Sequence, residues 1–184
     1  MSLPPYPRVA LRSHEWQHQA AVISWATAAE RQIPELKWLH ASANGSIISF
    51  SRNNAGQAFS RQGKRAKDTG VKKGIPDLNW PIPRGPYHGC WIELKRPEAK
   101  APVHLEDEQI TCLEFLAARG YFVAFANDCT TAVQLLLRYW SAGPFDLAAA
   151  RVHDAGVHPA ERCPCCADLD VEVTRRAKAR RKKK

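Results

Sequence analysis

The 184 residues are enough for one domain with a real core and short for two. At 45% hydrophobic and 24% charged, the composition is that of a globular chain. No run approaches the roughly 20 apolar residues that span a bilayer, which excludes a helical membrane protein.

Residues 1–12 read as an extended segment, with three prolines, two arginines and no apolar core of the kind a secretory signal needs. The expected compartment is therefore reducing and cytoplasmic. There, six cysteines are better read as thiols or metal ligands than as a disulfide scaffold. The net charge of +9 is unevenly placed. Eight basic residues and no acid fall between Thr174 and Lys184, and seven against one acid between Arg52 and Lys73, leaving an acidic body. Segregated positive charge of this kind calls for a polyanionic partner, most simply nucleic acid. A solubilising tail is the plainer alternative for the last eleven residues.

In chain order, a helix opens at Ser13 or His14 and runs to about Arg31. Glu15 suits its positive end, and Pro34 closes the segment. Lys37 to Ala41 is a strand candidate and Ile47 to Phe50 a second, with a turn at Asn44-Gly45. Asn54 to Asp68 reads as a polar helix, with Gly70 placed to cap it. Two strands follow, Asp77 to Trp80 and Cys90 to Lys95, separated by a Pro/Gly-rich loop over 81–86. Glu106 to Arg119 is an amphipathic helix whose expected apolar side is Ile110, Leu113, Phe115 and Leu116, and Gly120 ends it. Tyr121 to Ala126 reads as a buried strand. Asp128 caps a last helix to about Trp140. After Gly143-Pro144 the composition changes. The expected organisation is an α/β domain over 13–142 and an extension over 143–184.

The chemistry concentrates between Gly74 and Lys95. Alternate strand residues share a face, so Glu93 and Lys95 project together while Ile92 and Leu94 face the core. Two charges on a partly buried strand are costly unless paired or bound to something. Alone, a Glu-x-Lys is usually an edge-strand salt bridge. Here a Gly74-Ile75-Pro76-Asp77 turn brings a second carboxylate to a strand start. Two converging carboxylates and a carbonyl oxygen make a hard site for Mg²⁺ or Mn²⁺, with a lysine beside it to hold a water.

Pro76-Asp77 followed by Glu93-Leu94-Lys95 resembles the signature of the PD-(D/E)xK nucleases. The wider pattern resembles their virus-type replication-repair (VRR-NUC) family. The resemblance runs from Glu15 and Gln19 through Asn44-Gly45, Lys67, Gly70-Val71 and Gly74 to Leu78. It continues through Trp91 to Lys95, then Gln109 and Gly120-Tyr121, covering about residues 13–140. It implies a restriction-endonuclease-like core, a central mixed sheet flanked by helices. It also implies metal ligation by Asp77 and Glu93, Lys95 as catalytic lysine, Glu15 as a helix-borne acid near the metal, and Gln109 as an assisting polar residue.

In such a site Asp77, Glu93 and the Leu94 backbone carbonyl hold one divalent cation against a phosphate oxygen, and Lys95 orients the attacking water. Gln19, four residues after Glu15, shares its helical face. His40 and His104 show no supporting partner and read as structural or solvent-facing. Arg61, Lys64, Arg65, Lys72 and Lys73 are placed to touch phosphates without reading sequence. His153, His158, Cys163, Cys165 and Cys166 supply zinc-type donors, although Cys-x-Cys-Cys is not a standard knuckle spacing and a flexible reduced tail is the preferred reading.

The expected function is a metal-dependent DNA endonuclease acting on branched DNA such as four-way (Holliday) junctions. A flap, nick or single-strand nuclease with the same site is the alternative, as is a non-catalytic DNA-binding accessory protein. Two symmetric cuts across a junction suit a homodimer. Trp38, Phe50, Phe59 and Trp80 are candidate interface residues, and burial in the monomer's own core explains any one of them equally well.

Overall fold

The computed structural model describes residues 2–10, 13–42, 51–52, 58–59, 68–95 and 105–146. Helix α1 spans Glu15–Ala29. It starts where His14 N–H donates to the Gln17 side-chain oxygen at 2.8 Å, and it buries His18, Val22, Trp25, Ala26 and Ala29 along one stripe. A 3₁₀ turn over Pro34–Trp38 leads into a two-residue strand, β1 (His40–Ala41). The expected strand from Lys37 is thus half replaced by a turn. Pro34 at the turn's start supplies the fixed φ that a tight helical turn accepts.

Strands β2 (Ser51–Arg52) and β3 (Ala58–Phe59) pair antiparallel as a separate ribbon. This corrects the first part of the helix expected over Asn54 to Asp68, because Ala58-Phe59 is strand; residues 60–67 lie outside the described residues, and Asp68 is helical. The intervening Asn53-Asn54-Ala55-Gly56 is rich in residues that reverse a chain, and these outweigh the weak helical pattern. The strand expected at Ile47 to Phe50 lies outside the described residues.

The main sheet is formed by β1, β4 (Leu78–Trp80), β5 (Cys90–Leu94) and β6 (Phe122–Ala126), in the order β1-β4-β5-β6. Its first two pairings are antiparallel and β5–β6 is parallel. The parallel pair requires a crossover, which helix α2 (Asp107–Ala117) provides. Helix α3 (Cys129–Trp140) follows β6, and its N-cap Asp128 accepts from Thr131 N–H at 2.7 Å.

Strand alternation divides the core. Leu78, Trp80, Cys90, Ile92, Leu94, Phe122 and Ala124 pack with α1 and α3 on one face. On the other face Val123 packs with Leu105, Ile110, Leu113 and Ala117 of the α2 side, flanked by Trp91 and Phe125. Each fully buried aliphatic side chain contributes roughly 1.5–3 kcal/mol. Residues 2–10 run as a strap across the first layer. Trp25 Nε1 donates to the Pro4 carbonyl at 3.2 Å and Thr130 Oγ1 to that of Pro7 at 2.8 Å.

Two expectations about apolar residues change. Phe115 is 54% exposed rather than part of the α2 core stripe. Trp80 is 1% exposed, its ring centroid 5.6 Å from both Tyr139 and Trp140 and its N–H donating to the Glu35 carbonyl, so it belongs to the core and not to an interface. Trp38 remains exposed.

Candidate active site

Asp77 owes its position to the turn before β4. Gly74 sits at φ +83°, and a Cβ there would lie 2.5 Å from the Glu108 carbonyl oxygen, so only glycine lets the turn pass against α2. The β4–β5 ladder reaches the pair Leu78–Ile92. Just beyond it, Leu94 N–H donates to Asp77 Oδ2 at 2.7 Å. Ser42 N–H donates to the Asp77 carbonyl at 2.8 Å. The residue is therefore held from β5 and from the chain after β1, with its carboxyl on the α2 face beside that of Glu93.

Glu93 is 1% exposed. Its Oε1 meets Lys95 Nζ at 2.6 Å and accepts from Gln109 Nε2. Gln109 Oε1 in turn accepts the Glu106 N–H at 2.9 Å, at the start of α2. That second bond fixes the amide's orientation, leaving its donor side for the carboxylate. Glu93 Oε2 is buried without any hydrogen-bond partner. A bare carboxylate oxygen in that position is expensive unless something positive completes it.

The electrostatics say the same. Burial, opposed by the Leu94 N–H and reinforced by Glu15, raises Asp77 to about 6. Burial and then the Asp77 charge raise Glu93 to about 7, against the pull of Lys95. Two carboxyls pushed up together, one with an orphaned oxygen, fit a divalent cation: hard oxygen donors whose mutual repulsion the ion cancels. Glu15, half-buried at the start of α1, adds negative charge at both acids. Yet among the described residues no three His, Cys, Asp or Glu side chains converge into a ready-made metal cage. The fit is to two carboxylates plus backbone or water oxygens.

Residues 13–128 match the VRR-NUC domain. The chain belongs to the VRR-NUC family. Membership implies a nuclease of the PD-(D/E)xK type. A solved VRR_NUC domain protein is 27% identical, with a TM-score of 0.53 over 72% of this chain and 92% of that one. No curated protein matches the chain. The mixed four-stranded sheet flanked by three helices agrees with the family core expected from the motifs.

In this VRR-NUC domain Asp77, Glu93, Lys95 and Gln109 come together. Gln19 is half-buried on α1. Lys72 and Lys73 are exposed, while Arg61, Lys64 and Arg65 lie outside the described residues. So do His104 and the zinc-type set His153, His158, Cys163, Cys165 and Cys166. His40 is exposed, its Nδ1 3.0 Å from the Trp38 carbonyl, consistent with a solvent-facing role.

Sequence reasoning passed over His18. It is 1% exposed, and its Nδ1 accepts the Cys129 N–H at 3.3 Å, tying α1 to the first turn of α3. Burial lowers its pKa, favouring the neutral ring that this acceptor role requires. Its i, i+4 spacing to Val22 marked it as inward-facing, but its partner 111 residues away left no local signal. Among the described residues no helix is long and apolar enough to cross a membrane.

Proposed function

We propose that this domain is a metal-dependent DNA endonuclease whose working residues are Glu15, Asp77, Glu93, Lys95 and Gln109. The observation carrying the proposal is the buried Asp77–Glu93 pair with Lys95 on one glutamate oxygen and the other oxygen unpartnered. Asp77, Glu93 and the Leu94 carbonyl would hold Mg²⁺ or Mn²⁺, with Glu15 acting through water. When bound, the ion supplies charge neutralisation at the phosphate and a more acidic water.

The protein's own groups do the positioning. A lysine ammonium has three donors and no acceptor. Lys95 spends one donor on Glu93 and keeps the others for the attacking water and a phosphate oxygen, so it orients and stabilises charge. Gln109 keeps Glu93 Oε1 engaged, which leaves Oε2 as the oxygen that would hold an ion. Lys72 and Lys73, with Arg61, Lys64 and Arg65, neutralise backbone phosphates, and the 143–184 extension adds its basic tail.

The preferred substrate is branched DNA, with four-way junctions foremost, cut by a homodimer in the cytoplasm. The test is a cleavage assay with Mn²⁺ over linear, nicked, flap and four-way DNA, with light scattering on the same sample. Cleavage strongest on branched substrates by a dimer is the expected result. Equal cutting of all forms refutes the structural selectivity, and binding without any cleavage refutes the enzyme.

A further inference from the structure

The sheet face that carries Asp77 and Glu93 has a second row of side chains behind them. Leu78 and Trp80 of β4 point into the layer shared with α1 and α3. Asn79, between them, therefore points to the other face, the one that Asp77 uses. The register sets its neighbours: His40 of β1 lies opposite Asn79 on one side and Trp91 of β5 on the other. Directly opposite residues share a face, with Cβ atoms about 4.5–5.5 Å apart, and alternate residues along a strand are about 6.6 Å apart. The row His40–Asn79–Trp91 thus runs alongside the Asp77–Glu93 row, one alternation back from it.

Asn79 is 6% exposed. Its side-chain amide makes no hydrogen bond among the described residues, yet the amide atoms are not sealed from solvent. A buried amide left without a partner costs the fold free energy, and a bound group that supplies the partner removes that cost. His40 stands exposed beside it. The Trp38 carbonyl can only accept, so its 3.0 Å contact puts a proton on His40 Nδ1 and leaves Nε2 as the free nitrogen. In the charged ring Nε2 donates as well. Lys37, exposed with its Nζ 5.1 Å from the Trp38 ring centroid, adds a cation to this edge of the sheet. The row itself holds no Asp or Glu. An amide donor, an imidazole and a nearby ammonium suit an oxyanion; an apolar group would leave the amide unpaired.

We propose that Asn79 and His40 hold a phosphate oxygen of the DNA strand being cut, at one of the two phosphates that flank the scissile one. The proposal rests on the nuclease reading and deepens it. Contacts to phosphate fix the position of a strand without reading its sequence. Anchoring the neighbouring phosphate sets the scissile one over Asp77 and Glu93, so the pair works through orientation as well as affinity.

The test is Mn²⁺-dependent cleavage by the full chain of a series of DNAs, each with one uncharged methylphosphonate in place of a single phosphate near the cut. The expected wild-type result is a loss of about tenfold in kcat/KM at one flanking position, the size of a hydrogen bond to a charged group. Asn79→Leu and His40→Ala are each expected to cut unmodified DNA about tenfold more slowly. Both should then lose less than about twofold more from the methylphosphonate at that position, because the contact is already gone. Asn79→Leu exchanges an unpartnered amide for an apolar side chain of similar size, so its Tm should hold or rise. A fall of more than about 5 °C marks Asn79 as a structural residue and overturns its assignment.

A wild type that cuts unmodified DNA and is indifferent to methylphosphonate at both flanking positions overturns the phosphate subsite and leaves the nuclease intact. So does a methylphosphonate penalty that stays at its full size in both variants. Absence of cleavage of any DNA with Mn²⁺ overturns the nuclease reading and this one with it.

Discussion

Replacing Asp77 with asparagine separates what the site costs the fold from what it gives to function. Burial raises the Asp77 carboxyl from 3.8 to about 6, and at 1.36 kcal/mol per pH unit this amounts to about 3 kcal/mol. The folded carboxyl takes up its proton before the unfolded one does. The cost is therefore complete above about pH 7, shrinks as pH falls through 6, and is gone below about 4. Asparagine carries no charge, and its side-chain oxygen keeps the Leu94 N–H bond. Its amide hydrogens still need partners, so the relief is about 1–3 kcal/mol at pH 8. For a domain of this size that corresponds to a Tm gain of roughly 3–10 °C. Melting in EDTA at pH 8 and pH 5 is the assay, with a gain at pH 8 that falls by about half or more at pH 5. Adding Mn²⁺ should cancel or reverse the gain. An ion at a hundred times its Kd adds about 2.7 kcal/mol to the wild type and nothing to Asp77→Asn. A variant that is no more stable than the wild type at pH 8, or equally stabilised at both pH values, refutes the argument that an uncompensated buried carboxylate sits at Asp77.

Glu93→Gln and Lys95→Ala are expected to abolish cleavage while leaving DNA affinity within about threefold. The wild-type rate should climb with pH through about 7 as Glu93 deprotonates; near-normal cleavage by both variants would overturn the site. Gly74→Ala places a methyl against the Glu108 carbonyl at positive φ, which should cost about 2–4 kcal/mol and reduce activity, read by thermal melting and cleavage together. Deleting Thr174 to Lys184 should weaken DNA binding and flatten its salt dependence, by up to about 0.9 in log–log slope for each phosphate that the tail neutralises. An unchanged slope means that the tail does not touch DNA.

The sequence determined most of what is local or periodic. Alternation in Trp91-Ile92-Glu93-Leu94-Lys95 put the two charges on one face, as the structure has it. Asp128 capped α3 and Gly120, at φ 75°, ended the α2 segment, because caps and turns depend on one or two residues. The ordered pattern from Glu15 through Pro76-Asp77 and Glu93-x-Lys95 to Gly120-Tyr121 pointed to the family that the domain match shows.

Where several elements compete for the same residues, tertiary structure decided. The Ala58-Phe59 strand exists through its pairing with Ser51-Arg52, against a helical pattern. Phe115 has apolar chemistry at a helical spacing, yet α2 turns it outward, because Ile110, Leu113 and Ala117 already fill the space above the sheet. The link from the start of α2 through Gln109 to Glu93, and the one from His18 to Cys129, each join residues distant in the chain. The orphaned oxygen of Glu93 and the unpartnered N–H of Trp91 have no signature in the string of letters. Whether a polar atom finds a partner depends on everything packed around it, and packing is a property of the fold rather than of the segment.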